Sequence, residues 1–300
     1  MYKFIIDFIV AIFIFKIFFL LKLIGKKVAS NICSYFFLKI GPLTKFNKIA
    51  IKNINYAFPH LRKNKIKLIT NDMWKNIGRN FGEFIHLRNF NPLLCKKTKV
   101  IGLNKIKKLA SSENGIIFFS AHYGNWEIGP IIINKLGFQP LCIYRKSNNK
   151  LIEKLIQKIR STNAEFAPKG DMGAKKSYLW LRKGKGKSLA LLMDQKLNEG
   201  PFIPFLGKPA PTASYIAELS LRMNLAIVPV KLERSKESEN IITFFNKLKM
   251  PSNCLEHKEK VIYILENINN IIGSWIKEKP EQWLWIHRRW PKEVYNEVKK

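Results

Sequence analysis

The chain has 300 residues, with 53 lysines and arginines against 21 aspartates and glutamates, a formal charge of +32, and 47% hydrophobic residues. That balance excludes a disordered chain, allows a substantial core and sets one or two domains as the scale. So basic a surface favours polyanionic company: nucleic acid, anionic lipid or an acidic protein. Lysine, asparagine and isoleucine abound throughout, however, so coding bias accounts for part of the charge. Cys33, Cys95, Cys142 and Cys254 form no C-x-x-C pair and fit no zinc spacing. They read as free thiols in a reducing compartment, with no metal site and no disulfide framework.

At the N-terminus, Phe4 to Ile24 is almost wholly apolar, broken by Asp7, Lys16 and Lys22. A helix of that length matches the about 20 residues needed to cross a hydrocarbon core. It is too long for a signal peptide's apolar region, and no small-residue cleavage site comes after it. Lys22, Lys26 and Lys27 crowd its far end, which by the positive-inside rule places the remainder of the chain in the cytoplasm. The charges within the stretch leave open a helix lying in the membrane interface, Lys16 snorkelling outward. Either geometry is a membrane anchor, expected over residues 1–27.

No Gly/Ser or Pro-rich linker and no repeat divides residues 28–300, which read as one domain. Its first part is mostly helical. Between Lys65 and Leu87, the residues Trp74, Ile77, Phe81 and Phe84 recur at helical spacing, and Phe58-Pro59 marks a break before them. From about residue 115 the texture changes. Gly115–Ser120, Pro140–Tyr144, Ser188–Met193 and Leu225–Val230 read as buried strands, and Ile242–Phe245 as a further one. The spacing predicts helices over Asn149–Ile159, Ala174–Arg182, Ser214–Met223 and Val261–Lys277. The alternation indicates an α/β fold with a mixed, mostly parallel central sheet flanked by helices. Functional groups in such sheets gather past the carboxyl ends of the strands.

Four segments carry candidate chemistry. The first strand runs directly into Ala121-His122-Tyr123-Gly124-Asn125-Trp126-Glu127. In a continuous helix five residues would point His122 and Glu127 apart, but a strand–turn–helix path through Gly124 brings them together. A carboxylate on one imidazole nitrogen fixes the tautomer and makes the other nitrogen a general base toward a hydroxyl. Taken alone, so short a pattern better describes a structural histidine at a strand end; the strand context and the anchor shift the balance toward catalysis. The second segment is Asp194-Gln195, again just after a buried strand. The apolar Gly200–Thr212 loop beyond it either lines an acyl-chain cleft or packs on the core. The third is Tyr144-Arg145 with Arg160, guanidinium groups suited to phosphate, although helix-end arginines are commonly just solvated. The fourth is Pro280–Trp290, where three Trp, one His and two Arg suggest either an interfacial, anion-contacting segment or a Trp cluster with stacked arginine. His60, His86 and His257 have no evident partner. No phosphate-binding glycine loop and no G-x-S-x-G elbow occurs.

Taken in order, these motifs resemble the bacterial lipid A biosynthesis acyltransferases, the lauroyl/myristoyl or late acyltransferase family. The resemblance runs from the anchor through Asn53-Ile-Asn-Tyr-Ala-Phe-Pro59, Gly82-Glu83, Ser120–Glu127, Tyr144-Arg145, Asp194-Gln195, Pro204–Thr212 and Pro280–Trp290. The related glycerolipid acyltransferases share the His-x4-acid pair. They usually carry Asn before the histidine, where this chain has Ala121, and a Pro-Glu-Gly-Thr-Arg segment absent here.

The resemblance implies a glycerolipid-acyltransferase-like fold and transfer of a fatty acyl group from acyl carrier protein. The acceptor would be a hydroxyl of a phosphorylated lipid A precursor of the Kdo-lipid IVA type. His122 would be the base, Glu127 its orienter, and backbone N–H groups around Gly124 would hold the oxyanion. Arg145 and Arg160 would bind sugar phosphates, with Asp194 and Gln195 also near substrate. No cofactor, metal or covalent enzyme intermediate is implied. The location would be the inner membrane, catalytic domain toward the cytoplasm. The basic charge then suits both an acidic carrier protein and a phosphorylated lipid. Two other readings stand beside it: acyl transfer to another membrane glycolipid or lysophospholipid, and a membrane-tethered nucleic-acid-binding protein. The latter rests on charge alone and lacks a recognition motif, so nucleic acid is not the expected partner.

Overall fold

The computed structural model describes residues 2–112, 115–235 and 239–296. The first residue of the expected anchor and the last four of the expected domain lie outside them. The strands are β1 (Thr98–Ile101), β2 (Ile116–Ser120), β3 (Gln139–Tyr144), β4 (Glu165–Pro168), β5 (Lys187–Leu192), β6 (Phe202–Phe205), β7 (Lys208–Pro211), β8 (Ala226–Arg234) and β9 (Asn240–Phe244). The α-helices are α1 (Tyr2–Leu23), α2 (Lys26–Ile40), α3 (Lys45–Ala57), α4 (Lys63–Phe84), α5 (Leu103–Ser112), α6 (Ile128–Lys135), α7 (Lys150–Arg160), α8 (Asp171–Leu181), α9 (Tyr215–Met223) and α10 (His257–Glu278).

Seven strands form one mixed, mostly parallel sheet in the order β1-β9-β8-β2-β5-β3-β4, with β9 antiparallel to β8. The apolar runs read from the sequence are its middle. In β2 every residue is buried, because helices cover both faces. Ile117 and Phe119 join the core shared with α9, α10 and the Trp-rich C-terminal segment. Ile116 and Phe118 face α6 and the N-terminal helices. The alternation follows from the two-residue period of a strand.

Helices α2 and α4 cross closely. A Cβ on Gly78 or Gly82 would stand 2.3 or 2.4 Å from the carbonyl oxygen of Cys33 or Ala29, so only glycine permits this approach. The close crossing sets α4 against the turn after β2, where its Asn76 and Asn80 reach the Gly124 carbonyl.

Helix α1 does not stand free of the body. Ala11, Phe18 and Leu21 are buried, and Phe18 packs 5.2 Å from Phe81 and 6.1 Å from Phe84. Asn149 donates to the Asp7 carbonyl at 2.7 Å. On the other side Ile9, Phe13, Phe19, Leu20 and Leu23 are each about three-fifths exposed. Among the described residues no helix is long and apolar enough to cross a membrane. Asp7, Lys16 and Lys22 interrupt this one, and the expectation of a transmembrane helix is not supported.

Two open readings are decided and a third is corrected. The Gly200–Thr212 loop is largely the β6–β7 hairpin, whose Phe205 packs against Trp283 and Trp290. It belongs to the core and does not line the cavity beside His122. Of the two readings of Pro280–Trp290, the Trp cluster is realised. Trp283, Trp285 and Trp290 are buried, and Arg289 stacks 4.6 Å over Phe205 while donating to the Pro211 carbonyl and Thr212. His86 and His257 do have partners, the Leu21 carbonyl at 3.1 Å and Glu218 at 2.8 Å.

Candidate active site

Strands β2 and β5 are parallel neighbours with Ser120 opposite Leu192. Met193 N–H donates to the Ser120 carbonyl at 2.9 Å, carrying the pairing one residue further. His122 and Asp194 each lie two residues beyond that last pair, so they emerge side by side at the carboxyl edge of the sheet. His122 Nδ1 is 2.8 Å from Asp194 Oδ1. Asp194 Oδ2 accepts from the His122 backbone N–H at 3.0 Å and from Trp283 Nε1 at 2.7 Å.

Burial pushes the Asp194 carboxyl up, but the His122 ring, its hydrogen bond and the Trp283 N–H outweigh that and pull it down to about 2. An ionised Asp194 fixes the proton of neutral His122 on Nδ1 and leaves the lone pair on Nε2.

The expected partner of His122 is engaged elsewhere. Glu127 immediately precedes α6 and forms a two-pronged ion pair with Arg160 at the end of α7, Nε to Oε2 at 2.9 Å and Nη2 to Oε1. His122 Nδ1 is met by Asp194 from the adjoining strand and not by Glu127, the partner the sequence reading gave it. Arg160, expected to hold phosphate, is committed to Glu127 and lies against Phe84 and Phe166. Arg145 is exposed at the cavity mouth, and Gln195 lies 3.4 Å from His122 Nε2.

A buried polar network clamps the His122 turn. Gly124 adopts φ +56°, and a Cβ there would stand 2.0 Å from the Leu232 carbonyl oxygen. Its carbonyl accepts from Asn76 at 3.1 Å and Asn80 at 2.6 Å, both on α4. Arg234, at the end of β8, donates to the oxygens of Asn76 and Asn80 and to Glu83. Glu83, fully buried, also accepts from Ser30 and Asn125. Burial opposes ionisation of Glu83, yet Arg234 and Lys26 hold its carboxyl below the usual range. Within this turn the N–H groups of His122, Tyr123 and Gly124 donate to Asp194, the Ala121 carbonyl and the Gln282 carbonyl. These three N–H groups are engaged and are not free to hold an oxyanion.

A cavity of about 280 Å³ opens beside His122. Its mouth carries Glu127, Tyr144, Arg145, Arg160, Lys169 and Gln195. Below, it follows one face of the sheet. Cys142, Ala190 and Phe118 are paired across β3, β5 and β2, and with Ile131, Ile133 and Val230 they make the lower walls apolar. Among the described residues no group of three or more metal-ligating side chains is assembled. Sequence reasoning missed Trp283 as the second donor to Asp194, Lys169 at the mouth, and the Glu83–Arg234 network. Glu83 and Trp283 carried a signal, as parts of the Gly82-Glu83 and Pro280–Trp290 motifs.

A carboxylate-held imidazole above an apolar cavity, at the carboxyl edge of a mixed sheet, suits an acyltransferase that activates a hydroxyl. The chain belongs to the bacterial lipid A biosynthesis acyltransferase family, whose model matches residues 2–292. It is similar to the lipid A biosynthesis lauroyltransferase of Escherichia coli K12, with 23% identity over 249 residues, 81% of this chain and 78% of that protein. It is also similar to the palmitoleoyltransferase of the same strain and to a lipid A biosynthesis acyltransferase of Shigella flexneri. Each is 26% identical over 257 residues, 82% of this chain and 79% of the relative.

Proposed function

We propose that this enzyme transfers a fatty acyl chain from acyl carrier protein to a hydroxyl of a phosphorylated, Kdo-bearing lipid A precursor, with His122 as general base. The observation that carries the reading is His122, its Nδ1 held by Asp194 and its Nε2 turned to the polar mouth of a cavity that is apolar below. A thioester carbonyl placed at the mouth would lay its chain along Cys142, Ala190 and Phe118. The acceptor hydroxyl would give its proton to Nε2 as its oxygen attacks the carbonyl carbon. Asp194 orients His122 and balances the imidazolium that forms. Glu127 holds Arg160 at the cavity wall, while Arg145 and Lys169 offer exposed charge to acceptor phosphates. The names of the relatives, lauroyl- and palmitoleoyltransferase, agree with a fatty acyl donor.

Residues 1–27 serve as the anchor. Helix α1 is covered by its own domain on one side and apolar and exposed on the other, the geometry of a helix seated in the membrane interface. The enzyme then works on the inner membrane, catalytic domain toward the cytoplasm, where its basic surface meets an acidic carrier protein and anionic lipid. The test is acyl transfer by purified wild type and His122→Ala from acyl carrier protein to a tetra-acylated precursor. The reading requires an added chain with wild type and none with a folded variant. Equal activity of the two makes His122 structural. Transfer by wild type to a different glycolipid or a lysophospholipid would keep the chemistry and replace the acceptor.

A further inference from the structure

Attack on a thioester leaves negative charge on the carbonyl oxygen, and that charge needs a donor. The N–H groups of His122, Tyr123 and Gly124 are already spent on Asp194 and on backbone carbonyls. Among the described residues one side-chain donor reaches the reacting nitrogen. The Gln195 amide nitrogen lies 3.4 Å from His122 Nε2 and 3.3 Å from His287 Nε2, and the Gln195 oxygen is 3.0 Å from Lys169 Nζ. An ammonium only donates, so Lys169 assigns the amide: oxygen toward Lys169, NH2 toward the two imidazoles. The NH2 has two hydrogens and faces two ring nitrogens, in rings whose centres are 5.6 Å apart. Asp194 has already claimed the proton-bearing side of His122, so Nε2 meets the amide as an acceptor. These contacts sit at the long end of the hydrogen-bond range, and exchanging one for a stronger, charged acceptor costs little.

We propose that Gln195 is a catalytic residue whose amide N–H stabilises the oxyanion, and that Lys169 is the positioning residue that fixes the amide's orientation. The proposal rests on the acyl-transfer reading. As the acceptor hydroxyl passes its proton to His122 Nε2, its oxygen bonds to the thioester carbon. The carbonyl π pair moves onto the carbonyl oxygen, and the Gln195 N–H leaves Nε2 for that oxygen. On collapse the pair returns, the C–S bond breaks, and the departing thiolate takes the proton from His122. Lys169, donating to the amide oxygen, polarises the amide and strengthens its N–H as a donor.

The test compares wild type with Gln195→Ala, Gln195→Glu, Lys169→Ala and Lys169→Arg in steady-state transfer from saturated acyl carrier protein thioesters to a tetra-acylated, phosphorylated glucosamine disaccharide. Loss of an oxyanion donor predicts that both Gln195 variants lose about 10²–10³-fold in kcat. KM for either substrate stays within about threefold. Lys169→Ala loses about tenfold in kcat, and Lys169→Arg restores it, because a guanidinium also only donates. Gln195→Glu is nearly isosteric and decides the matter if Gln195→Ala does not fold. A Gln195 variant that keeps its kcat while His122→Ala is inactive overturns the proposal and leaves the acyl-transfer reading standing. A loss confined to KM also overturns it, because Gln195 would then be a binding group. A wild type inactive toward every glycolipid offered overturns the reading and the proposal together.

Discussion

His122 and Asp194 lie the same distance past the last paired residues of β2 and β5, and their side chains meet at 2.8 Å. An asparagine at 194 can still accept from Trp283, but it no longer carries the charge that fixes the proton on Nδ1. Asp194→Asn is therefore expected to lower kcat by about 10³–10⁴-fold with the fold retained, as loss of a triad aspartate does. Because the two residues act as a unit, the double variant His122→Ala/Asp194→Asn should be no worse than His122→Ala alone. Steady-state kinetics of the three variants checks both statements, and additive losses would separate the pair.

The Glu127–Arg160 pair makes a different prediction. Their side chains are 14% and 25% exposed, so the ion pair is only weakly screened. Glu127→Gln and Arg160→Gln should couple by about 1–3 kcal/mol in a double-mutant cycle of urea stability. Glu127→Gln should also cost less activity than Asp194→Asn. The opposite ranking would return the orienting role to Glu127.

How much of the fold and the site is legible in the sequence depends on where each partner comes from. Strands β2, β5 and β8 stand in the middle of the sheet, and their unbroken apolar runs announce them. Strands β1 and β4 carry no such signal. Each is four residues long, β1 carries Lys99 and β4 ends in Pro168, and both are edge strands where such residues are tolerated. The apolar run of β8 stops at Val230, because Lys231, Glu233 and Arg234 look like solvent residues. They are buried, neutralised by Glu278, Lys279 and Glu83 from distant parts of the chain. The His122–Asp194 pair has a similar cause. The sequence places both residues just after buried strands, but only the adjacency of β2 and β5 brings them together. Glu127 is nearer in sequence and the natural choice of partner, yet the fold turns it to Arg160.

The buried network under the turn can be broken from one end. Glu83→Gln leaves Arg234, whose side chain is 7% exposed, without its full countercharge. Breaking a buried pair this way costs about 3–5 kcal/mol, and urea denaturation should register it. Gly124→Ala should be as damaging through sterics alone, because its Cβ meets the Leu232 carbonyl oxygen at 2.0 Å. If both variants keep wild-type stability, the network does not hold the turn.

Acid should act through Asp194. Its folded pKa is lowered to about 2, so the unfolded chain binds its proton first as pH falls. The stabilisation it provides is fully present above the ordinary carboxylate value and is lost as pH falls toward 2. The stability difference between wild type and Asp194→Asn should be present above about 4 and shrink as pH falls through this window. Urea titrations at a series of pH values measure it. A difference that vanished already near neutral pH would mean that Asp194 does not carry the charge assigned to it.

The exposed side of α1 bears on where the reaction occurs. Phe13 and Phe19 are 61% and 63% exposed, on the helix whose Ala11, Phe18 and Leu21 face the body. If that side is seated in lipid, removing each ring should weaken partitioning onto anionic vesicles by about tenfold. Phe13→Ser/Phe19→Ser should then float poorly with vesicles in a density gradient yet unfold at the wild-type temperature, because neither ring is part of the core. Met172, 75% exposed on α8, gives the control. Helix α8 packs against the core on the other face of the sheet, through Leu181, so Met172→Ser should bind vesicles like wild type. The salt dependence separates the two contributions. Lys16 and Lys22 are charged groups on the same helix, and their attraction to anionic lipid fades as ionic strength rises. The apolar share remains, so wild type should keep part of its binding in high salt, whereas the double serine variant should lose nearly all of it. Equal flotation of wild type and the double variant at every salt concentration would put the membrane contact on another surface.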